Sequence, residues 1–282
     1  MNKGLLNNKI VGIFAYPIEH TISPLFQSAA FKALGMDIDY VGFEVAPEGL
    51  KNAVRVLHSP EFLGANLTIP HKETVIPFLD EISSMAKKCG SVNTIINHGG
   101  KLRGETTDGP GFVRSLEEEA GITPKGKRVL LAGAGGAARA VAFALAEAKA
   151  NIYLTNRTAE KGEKLVSDLK NYYPHNTVVY IPFPERTNAL RREKIDILVN
   201  ATSVGLKTEK ELLFRFENLS GKTVVCDLIY NRKTLLLQSA QKLGLKTIDG
   251  LGMLIHQGAL SFQLWTGKTA PIKNMFAAIR EI

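Results

Sequence analysis

Short apolar runs recur along the chain at spacings that separate strands from helices. KIVGIFAY (residues 9–16) reads as a buried strand, IDYVGFEV (38–45) alternates at the strand period of two, and FLGANLTI (62–69) returns to strand. SPLFQSAAFKALG (23–35) has helical spacing, with Ser23 expected as N-cap and Pro24 at the first helical position, and PEGLKNAVRVLH (47–58) predicts a second helix. PHKETVIPFLDEISSMAKKCG (70–90) resumes helical spacing. SVNTIINHGGKLRGETTDG (91–109) predicts two short strands around a turn at His98, Gly99 and Gly100, and GPGFVRSLEEEAG (109–121) predicts a helix.

The second half repeats the alternation. Strands are predicted at NIYLTNRT, TVVYIPF, IDILVNAT, TVVCDLIY and KTIDG, with helices at TAEKGEKLVSDLKNYY and TLLLQSAQKLG. The stretch LGMLIHQGALSFQLWTG and a final helix exceed what a dinucleotide-binding half requires, so they are expected to fold back onto the N-terminal domain. The pattern predicts an α/β protein of two α/β units joined near residue 107, without internal repeat, low-complexity run or long linker. A cleft between the units is where a cofactor and a small substrate are expected to meet.

Residues 129–140, VLLAGAGGAARA, form a short strand, a glycine turn and a helix start. Gly133 suits the turn out of the strand, Gly135 has no side chain to keep the backbone from a pyrophosphate, and Ala138 lets the helix pack closely on the strand. Ala134, Gly136 and Ala137 complete the same turn. The first N–H groups of the helix and its dipole then favour an anion. A second strand follows at the distance of a dinucleotide-binding unit and ends at Asn156 and Arg157 with no carboxylate between them. Arg157 offers a planar fork to phosphate oxygens and Lys161 lies one turn further on, so NADP(H) is predicted over NAD(H).

A chain of 282 residues, 45% hydrophobic, can bury two cores. No run approaches the length of a membrane span, and IVGIFAY is too short for a signal peptide, so a cytoplasmic protein is expected. Cys89 and Cys226 lack metal-ligand spacing, and Cys226 lies in a strand-like run, as expected of a buried free thiol. No metal is predicted. The net charge of +8 comes from scattered basic residues without interleaved aromatics. The densest patch, Arg186 to Lys194, also holds Glu185 and Glu193. The bias fits attraction for anionic small molecules rather than nucleic acid.

Transfer of a hydride to a carbonyl needs a proton donor beside the developing alkoxide. Lys72, just after Pro70 at a predicted helix start, is one candidate, since a helix N-terminus disfavours a cation and tends to lower its pKa. Asp108, at another helix start, is a second candidate able to orient an ammonium; in contact the two titrate as a pair. Taken singly they also fit a surface lysine and an N-cap aspartate. Small polar residues gather at predicted strand ends: Thr21, Ser23, Asn66, Thr68, Asn93, Asn200 and Thr202. His20, His71 and His256 are scattered, and none is assigned a catalytic role.

PIEHTISP, GANLTIPHK, SVNT, TTDG, GAGGAARA, NRT, NATSVG, DLIYN and DGLGMLIHQGALSFQLWTG together resemble the shikimate/quinate dehydrogenase family, in the family's order and over nearly the whole chain. The resemblance implies a substrate-binding domain at 1–107 completed by C-terminal helices at 252–282, and a Rossmann-like NADP-binding domain at 108–251. It implies reversible reduction of 3-dehydroshikimate to shikimate by NADPH in the aromatic amino-acid pathway, with Lys72 and Asp108 as catalytic pair. Thr21 and Ser23 then hold the substrate carboxylate, while Asn66, Thr68, Asn93, Tyr230 and Gln257 contact or line the pocket of the ring hydroxyls. Asn156, Arg157, Thr158 and Lys161 fall on the adenosine-phosphate site; Thr202, Ser203, Gly250 and Met253 fall near the nicotinamide.

The chain departs from the family pattern at Thr21, usually Ser, and in Thr106-Thr107-Asp108-Gly109, where Thr replaces the usual Asn and the hydrogen bonds supporting Asp108 come into question. LKTEKELLF, after NATSVG, lacks a proline often found there, so no contacts are carried over. The expected partner is a small-molecule substrate, with no nucleic acid or membrane, in a monomer or homodimer. A quinate/shikimate dehydrogenase of broader substrate or cofactor use shares almost every motif. A non-catalytic NADPH-binding sensor or a basic nucleic-acid module on this fold is the alternative of another class, against which Lys72 and Asp108 both argue.

Overall fold

The predicted alternation of strand and helix is realised in two six-stranded sheets, one in each of two units. The computed structural model describes residues 8–19, 21–206, 212–216 and 221–280, so His20 and most of the stretch after Leu206 lie outside the described residues. The first unit comprises Met1–Thr107 and Ile255–Ile282; the second is Asp108–Leu254.

In the first unit the strands are β1 (Lys9–Ala15), β2 (Ile38–Glu44), β3 (Phe62–Leu67), β4 (Glu81–Ile82), β5 (Thr94–His98) and β6 (Lys101–Glu105), and the early helices are α1 (Ser23–Ala33), α2 (Leu50–Val56), α3 (His71–Thr74) and α4 (Ser84–Cys89). The sheet order is β2-β1-β3-β5-β6-β4. β1 pairs in parallel with β2 and β3, whereas β5 runs antiparallel to β3 and β6. The β5–β6 hairpin turns at Gly99 and Gly100, whose φ values of 61° and 92° only glycine adopts easily. One face of the sheet packs on Leu50, Val54, Leu57, Val75 and Ala86.

Three sequence expectations are revised here. The helical run predicted over 70–90 breaks into α3, a 3-10 turn at Ile76–Phe78, the short β4, and α4. Pro77 interrupts the backbone donors, and Ser83 caps a new helix by accepting from the Ala86 N–H at 3.2 Å. Ser23 is not the N-cap of α1. That position belongs to Ile22, and Ser23 is already helical, with its backbone N–H donated to Thr21 Oγ1 at 3.3 Å. The predicted helix over 47–58 is a 3-10 turn at Pro47–Gly49 followed by α2.

The second unit contains α5 (Asp108–Ser115), which continues as a π turn at Leu116–Ala120, then β7 (Arg128–Ala132), α6 (Gly136–Glu147), β8 (Asn151–Thr155), α7 (Ala159–Tyr172), β9 (Val178–Tyr180), α8 (Arg186–Arg192), β10 (Ile197–Asn200), β11 (Val224–Asp227), α9 (Leu235–Lys242) and β12 (Lys246–Ile248). All its strand pairs are parallel, in the order β12-β11-β10-β7-β8-β9. Counted within the unit this is 3-2-1-4-5-6, the doubly wound Rossmann arrangement, whose order reverses beside β7. α8 was not foreseen: RTNALRR reads as a charged patch, but Ala189 and Leu190 are buried on its inner side.

α10 (Gly250–Thr266) carries the chain back, and α11 (Ile272–Ile279) packs within the first unit. Trp265 of α10 donates its indole N–H to Ile95 O of β5 at 2.9 Å. A Cβ at Gly64, where φ is 150°, would lie 2.0 Å from that same carbonyl oxygen, so only glycine lets the strand and Trp265 share it. Among the described residues no helix is long and apolar enough to cross a membrane. Cys89 and Cys226 are both buried thiols.

Candidate active site

The first unit gathers polar side chains that the sequence scatters over more than two hundred residues. Asn66, at the end of β3, donates its amide N–H groups to Asn93 O at 3.0 Å, Thr94 Oγ1 at 3.2 Å and Ser261 Oγ at 3.2 Å, and accepts at Oδ1 from the Tyr40 hydroxyl at 2.7 Å. Asn93 donates to Thr107 Oγ1 at 2.8 Å and to Gln257 Oε1 at 3.0 Å, and accepts from the Thr107 backbone N–H at 2.7 Å. Thr94 and Ser261 hydroxyls are 2.7 Å apart. None of Asn66, Asn93, Thr94, Thr107, Gln257 and Ser261 exceeds 8% exposure. Buried polar groups are costly unless satisfied, so such a network fixes every member's orientation.

This network pins the turn leading into Asp108. Thr106 buries its hydroxyl without a hydrogen-bond partner among the described residues, while Thr107 is held through both backbone and side chain. Replacing Asn by Thr in the TTDG run therefore leaves this turn supported through Thr107 and Asn93. Asp108 is 3% exposed and begins α5. Lys72 is half-buried on α3, and its backbone carbonyl accepts from Val92 N at 2.8 Å. Because α3 is one turn long, it offers little of the helix dipole that the sequence placed behind Lys72. His71 beside it donates from Nε2 to Val45 O at 2.7 Å, and desolvation lowers its pKa. Thr68 is half-buried, its N–H donated to Phe14 O and its carbonyl accepting from His71 N.

Ser23 is 5% exposed. Tyr40, Thr94 and Ser261 were missed in the sequence. Tyr40 and Thr94 look like ordinary strand residues, but Gln257 and Ser261 stand four apart on an apolar helix, a polar pair on one face that marks a buried partner.

In the second unit the glycine turn leaves β7 where β8 and β10 end alongside. Gly133 has φ of 120°, and a Cβ there would lie 2.6 Å from Ala201 O. Its N–H donates to Thr155 O at 2.9 Å, which brings Asn156 and Arg157 next to the turn. Ala138 is fully buried where α6 packs on the strand. At Gly135, the N-cap of α6, a Cβ meets nothing within 4 Å, so the backbone is open on that side. Ala134, Gly136 and Ala137 complete the turn, whose first N–H groups lack intrahelical acceptors.

Asn156 donates to Thr158 O at 2.8 Å, and Arg157, Thr158 and Lys161 are exposed. On β10, Asn200 Oδ1 accepts from the N–H and hydroxyl of Thr202, and Ser203 follows exposed. Asn200 also donates to Asp227 Oδ1 at 3.0 Å, while Thr234 donates to Asp227 Oδ2 at 2.7 Å. Asp227 is 1% exposed, and desolvation raises its pKa. A Cβ at Gly250 would collide with Leu228 O; Met253 is buried, and Tyr230 is half-buried with its pKa raised by desolvation.

Fold and site define a two-unit α/β protein: one unit is of dinucleotide-binding type, and the other holds a buried polar site. The sequence model of the shikimate dehydrogenase substrate binding domain matches residues 13–95, that of shikimate / quinate 5-dehydrogenase matches 116–228, and that of the shikimate 5'-dehydrogenase C-terminal domain matches 250–280. A shikimate dehydrogenase (NADP(+)) of Desulforamulus reducens is 45% identical over 271 residues, covering 95% of this chain and 93% of that protein. A shikimate dehydrogenase solved in complex with NADP+ superposes with a TM-score of 0.90 at 41% identity, over 97% of this chain and 95% of its own. Shikimate 5-dehydrogenase from Thermus thermophilus, solved with NADP(H) and shikimate, gives 0.86 at 34% identity, over 97% and 99%. The chain belongs to the shikimate dehydrogenase family.

Proposed function

We propose that the protein is an NADP-dependent shikimate dehydrogenase that interconverts 3-dehydroshikimate and shikimate in the biosynthesis of aromatic amino acids. The observation that carries this is the network of Asn66, Asn93, Thr107 and Gln257: the side chains proposed to face the ring hydroxyls are mutually fixed and lead directly into Asp108. Identity of 45% to an enzyme named for this activity supports it.

Thr21 and Ser23 bind the substrate carboxylate, and Asn66, Thr68, Asn93, Tyr230 and Gln257 bind or enclose its hydroxyls. The open backbone at Gly135 and the uncommitted N–H groups of α6 fit a pyrophosphate held by Gly133 to Ala137. Arg157, with Asn156, Thr158 and Lys161, takes the adenosine phosphate, and Thr202, Ser203, Gly250 and Met253 enclose the nicotinamide. NADPH supplies the hydride. Lys72 and Asp108 handle the proton at the carbonyl oxygen as its negative charge develops. The domain roles are substrate binding for 1–107 with 252–282 and cofactor binding for 108–251. The protein acts in the cytoplasm as a monomer or homodimer.

Purified protein given shikimate and NADP+ at high pH should produce NADPH, read by absorbance. No turnover with shikimate or quinate overturns the proposal, and a higher kcat/KM for quinate moves the substrate assignment to quinate. NAD+ preferred over NADP+ overturns the role given to Arg157.

A further inference from the structure

Two segments proposed to enclose the nicotinamide, residues 202–203 after β10 and 250–253 at the start of α10, are both tied to one buried carboxyl group. Asp227, at the end of β11, accepts at Oδ1 from the Asn200 amide at 3.0 Å and from the Ile229 backbone N–H at 3.1 Å. Asn200 passes this hold to the first segment: its Oδ1 accepts from the N–H and hydroxyl of Thr202, and its amide also donates to Val204 O at 3.1 Å. Thr202 Oγ1 accepts in turn from Val204 N at 3.1 Å, so the hydroxyl spends its one proton inside the loop and serves to shape it. Ile229 passes the hold to the second segment, its carbonyl accepting from Gly250 N at 3.2 Å. A Cβ at Gly250 would stand 2.1 Å from Leu228 O, so the backbone there lies directly on the strand end that Asp227 organises.

Asp227 Oδ2 accepts from the Thr234 hydroxyl at 2.7 Å, and both residues are buried. The same hydroxyl accepts from Leu237 N at 3.4 Å as the N-cap of α9. The methyl group of Thr234 faces the turn at Gly205, where a Cβ would lie 3.1 Å from it. Thr234 thus touches both Asp227 and the far end of the loop that carries Thr202 and Ser203, although it lies outside every motif of the sequence. We propose that Asp227 and Thr234 are positioning residues for the nicotinamide: Thr234 fixes the rotamer of the Asp227 carboxyl group, and that group holds the two enclosing segments at one separation. This rests on the function proposed above, in which those segments meet the nicotinamide. Loss of the Thr234 donor leaves a buried carboxyl oxygen without its partner, and the group can then turn away from Asn200 and Ile229. The residues proposed for the adenosine half, Asn156 to Lys161, follow β8 on the other side of β7 and are set independently.

The test uses the full-length enzyme with shikimate and NADP+. Thr234→Val keeps the shape and the methyl group but removes the hydroxyl, and kcat/KM for NADP+ should fall about tenfold, the loss expected of one buried hydrogen bond. The inhibition constant of adenosine 2′,5′-bisphosphate, the adenosine half of the cofactor without nicotinamide, should stay within about twofold. Thr234→Ser restores the donor and should bring kcat/KM to within about threefold of wild type. A role in packing alone predicts the reverse order, because Ser lacks the methyl group that Val keeps. Asn200→Ala cuts the same set of bonds on its other side and should give the same split between NADP+ and the adenosine fragment; it carries the test should the Val variant not fold. An unchanged kcat/KM in Thr234→Val, a Ser variant more impaired than the Val variant, or equal weakening of the adenosine fragment overturns the inference. If the wild type fails to turn over shikimate, the proposed function falls and takes this inference with it. If the wild type is active while any of those three results is found, this inference alone falls.

Discussion

Alanine at Gly133 and at Gly135 separates what the turn does for the fold from what it does for the cofactor. At Gly133 the φ of 120° costs an L residue about 1–3 kcal/mol. The new Cβ also lies 2.6 Å from Ala201 O and 2.9 Å from its carbon. Those atoms are backbone, tied to β7 by Ala201 N donating to Ala132 O at 2.8 Å, so they cannot swing aside as a side chain would. Forcing β7 and β10 apart adds a cost of overpacking type, giving about 3 kcal/mol in all. At about 2–4 °C per kcal/mol, Gly133→Ala should lower Tm by about 10 °C in calorimetry. Gly135 has an ordinary φ of -83° and nothing within 4 Å of an added Cβ. The entropy that alanine removes from the unfolded chain offsets its weaker N-cap, so Tm should stay within about 3 °C. Its methyl group, however, stands where the backbone meets the proposed pyrophosphate, and KM for NADP+ should rise about tenfold or more. Equal losses of Tm in the two variants, or an unchanged KM in Gly135→Ala, would refute the reasoning.

Lys72→Ala should lower kcat by about 10²-fold or more while KM for shikimate changes little; near-normal kcat removes Lys72 from the chemistry. Arg157→Ala should raise KM for NADP+ and leave NAD+ use almost unchanged, and equal loss with both cofactors points instead to a structural role. Asp227 holds its proton more tightly in the folded than in the unfolded chain, because burial raises its pKa from 3.8. Its contribution is full below 3.8 and is lost as pH rises through the higher folded value. Tm of the wild type relative to Asp227→Asn should therefore fall as pH climbs from about 4 toward neutrality, and a difference independent of pH contradicts this.

Local patterns revealed the strands well because each was decided within its own few residues. VLLA is apolar on both faces, as a central parallel strand must be, and Gly133 announced the turn that its φ requires. The break within 70–90 was hidden because helical spacing of apolar residues persisted across Pro77, while the polar cap at Ser83 acts on only one turn. α8 was hidden by its charges: its inner face is two residues wide, Ala189 and Leu190, too narrow for a periodicity argument. Ser23 carried the right residue type for a cap, yet the chain enters the helix one residue earlier, with Ile22 at the cap position. Of the polar cluster, Asn66, Asn93 and Gln257 were found through motifs. Tyr40, Thr94 and Ser261 acquire their roles only when β2, β5 and α10 come together, and no window of neighbouring residues contains that information.

The first unit is assembled from two stretches of chain with the whole second unit between them, and this bears on the order of synthesis and folding. Thr94 and Ser261, whose hydroxyls are 2.7 Å apart, are separated by 167 residues. Asn66, Thr94 and the carbonyl of Ile95 thus emerge from the ribosome long before Ser261 and Trp265 exist to satisfy them. The parallel sheet of the second unit closes from contiguous chain and can fold in the meantime. The nascent first unit therefore waits with an unfinished polar centre, and closing a loop of that length is intrinsically slow. Chaperones and proteases would meet this half of the molecule first.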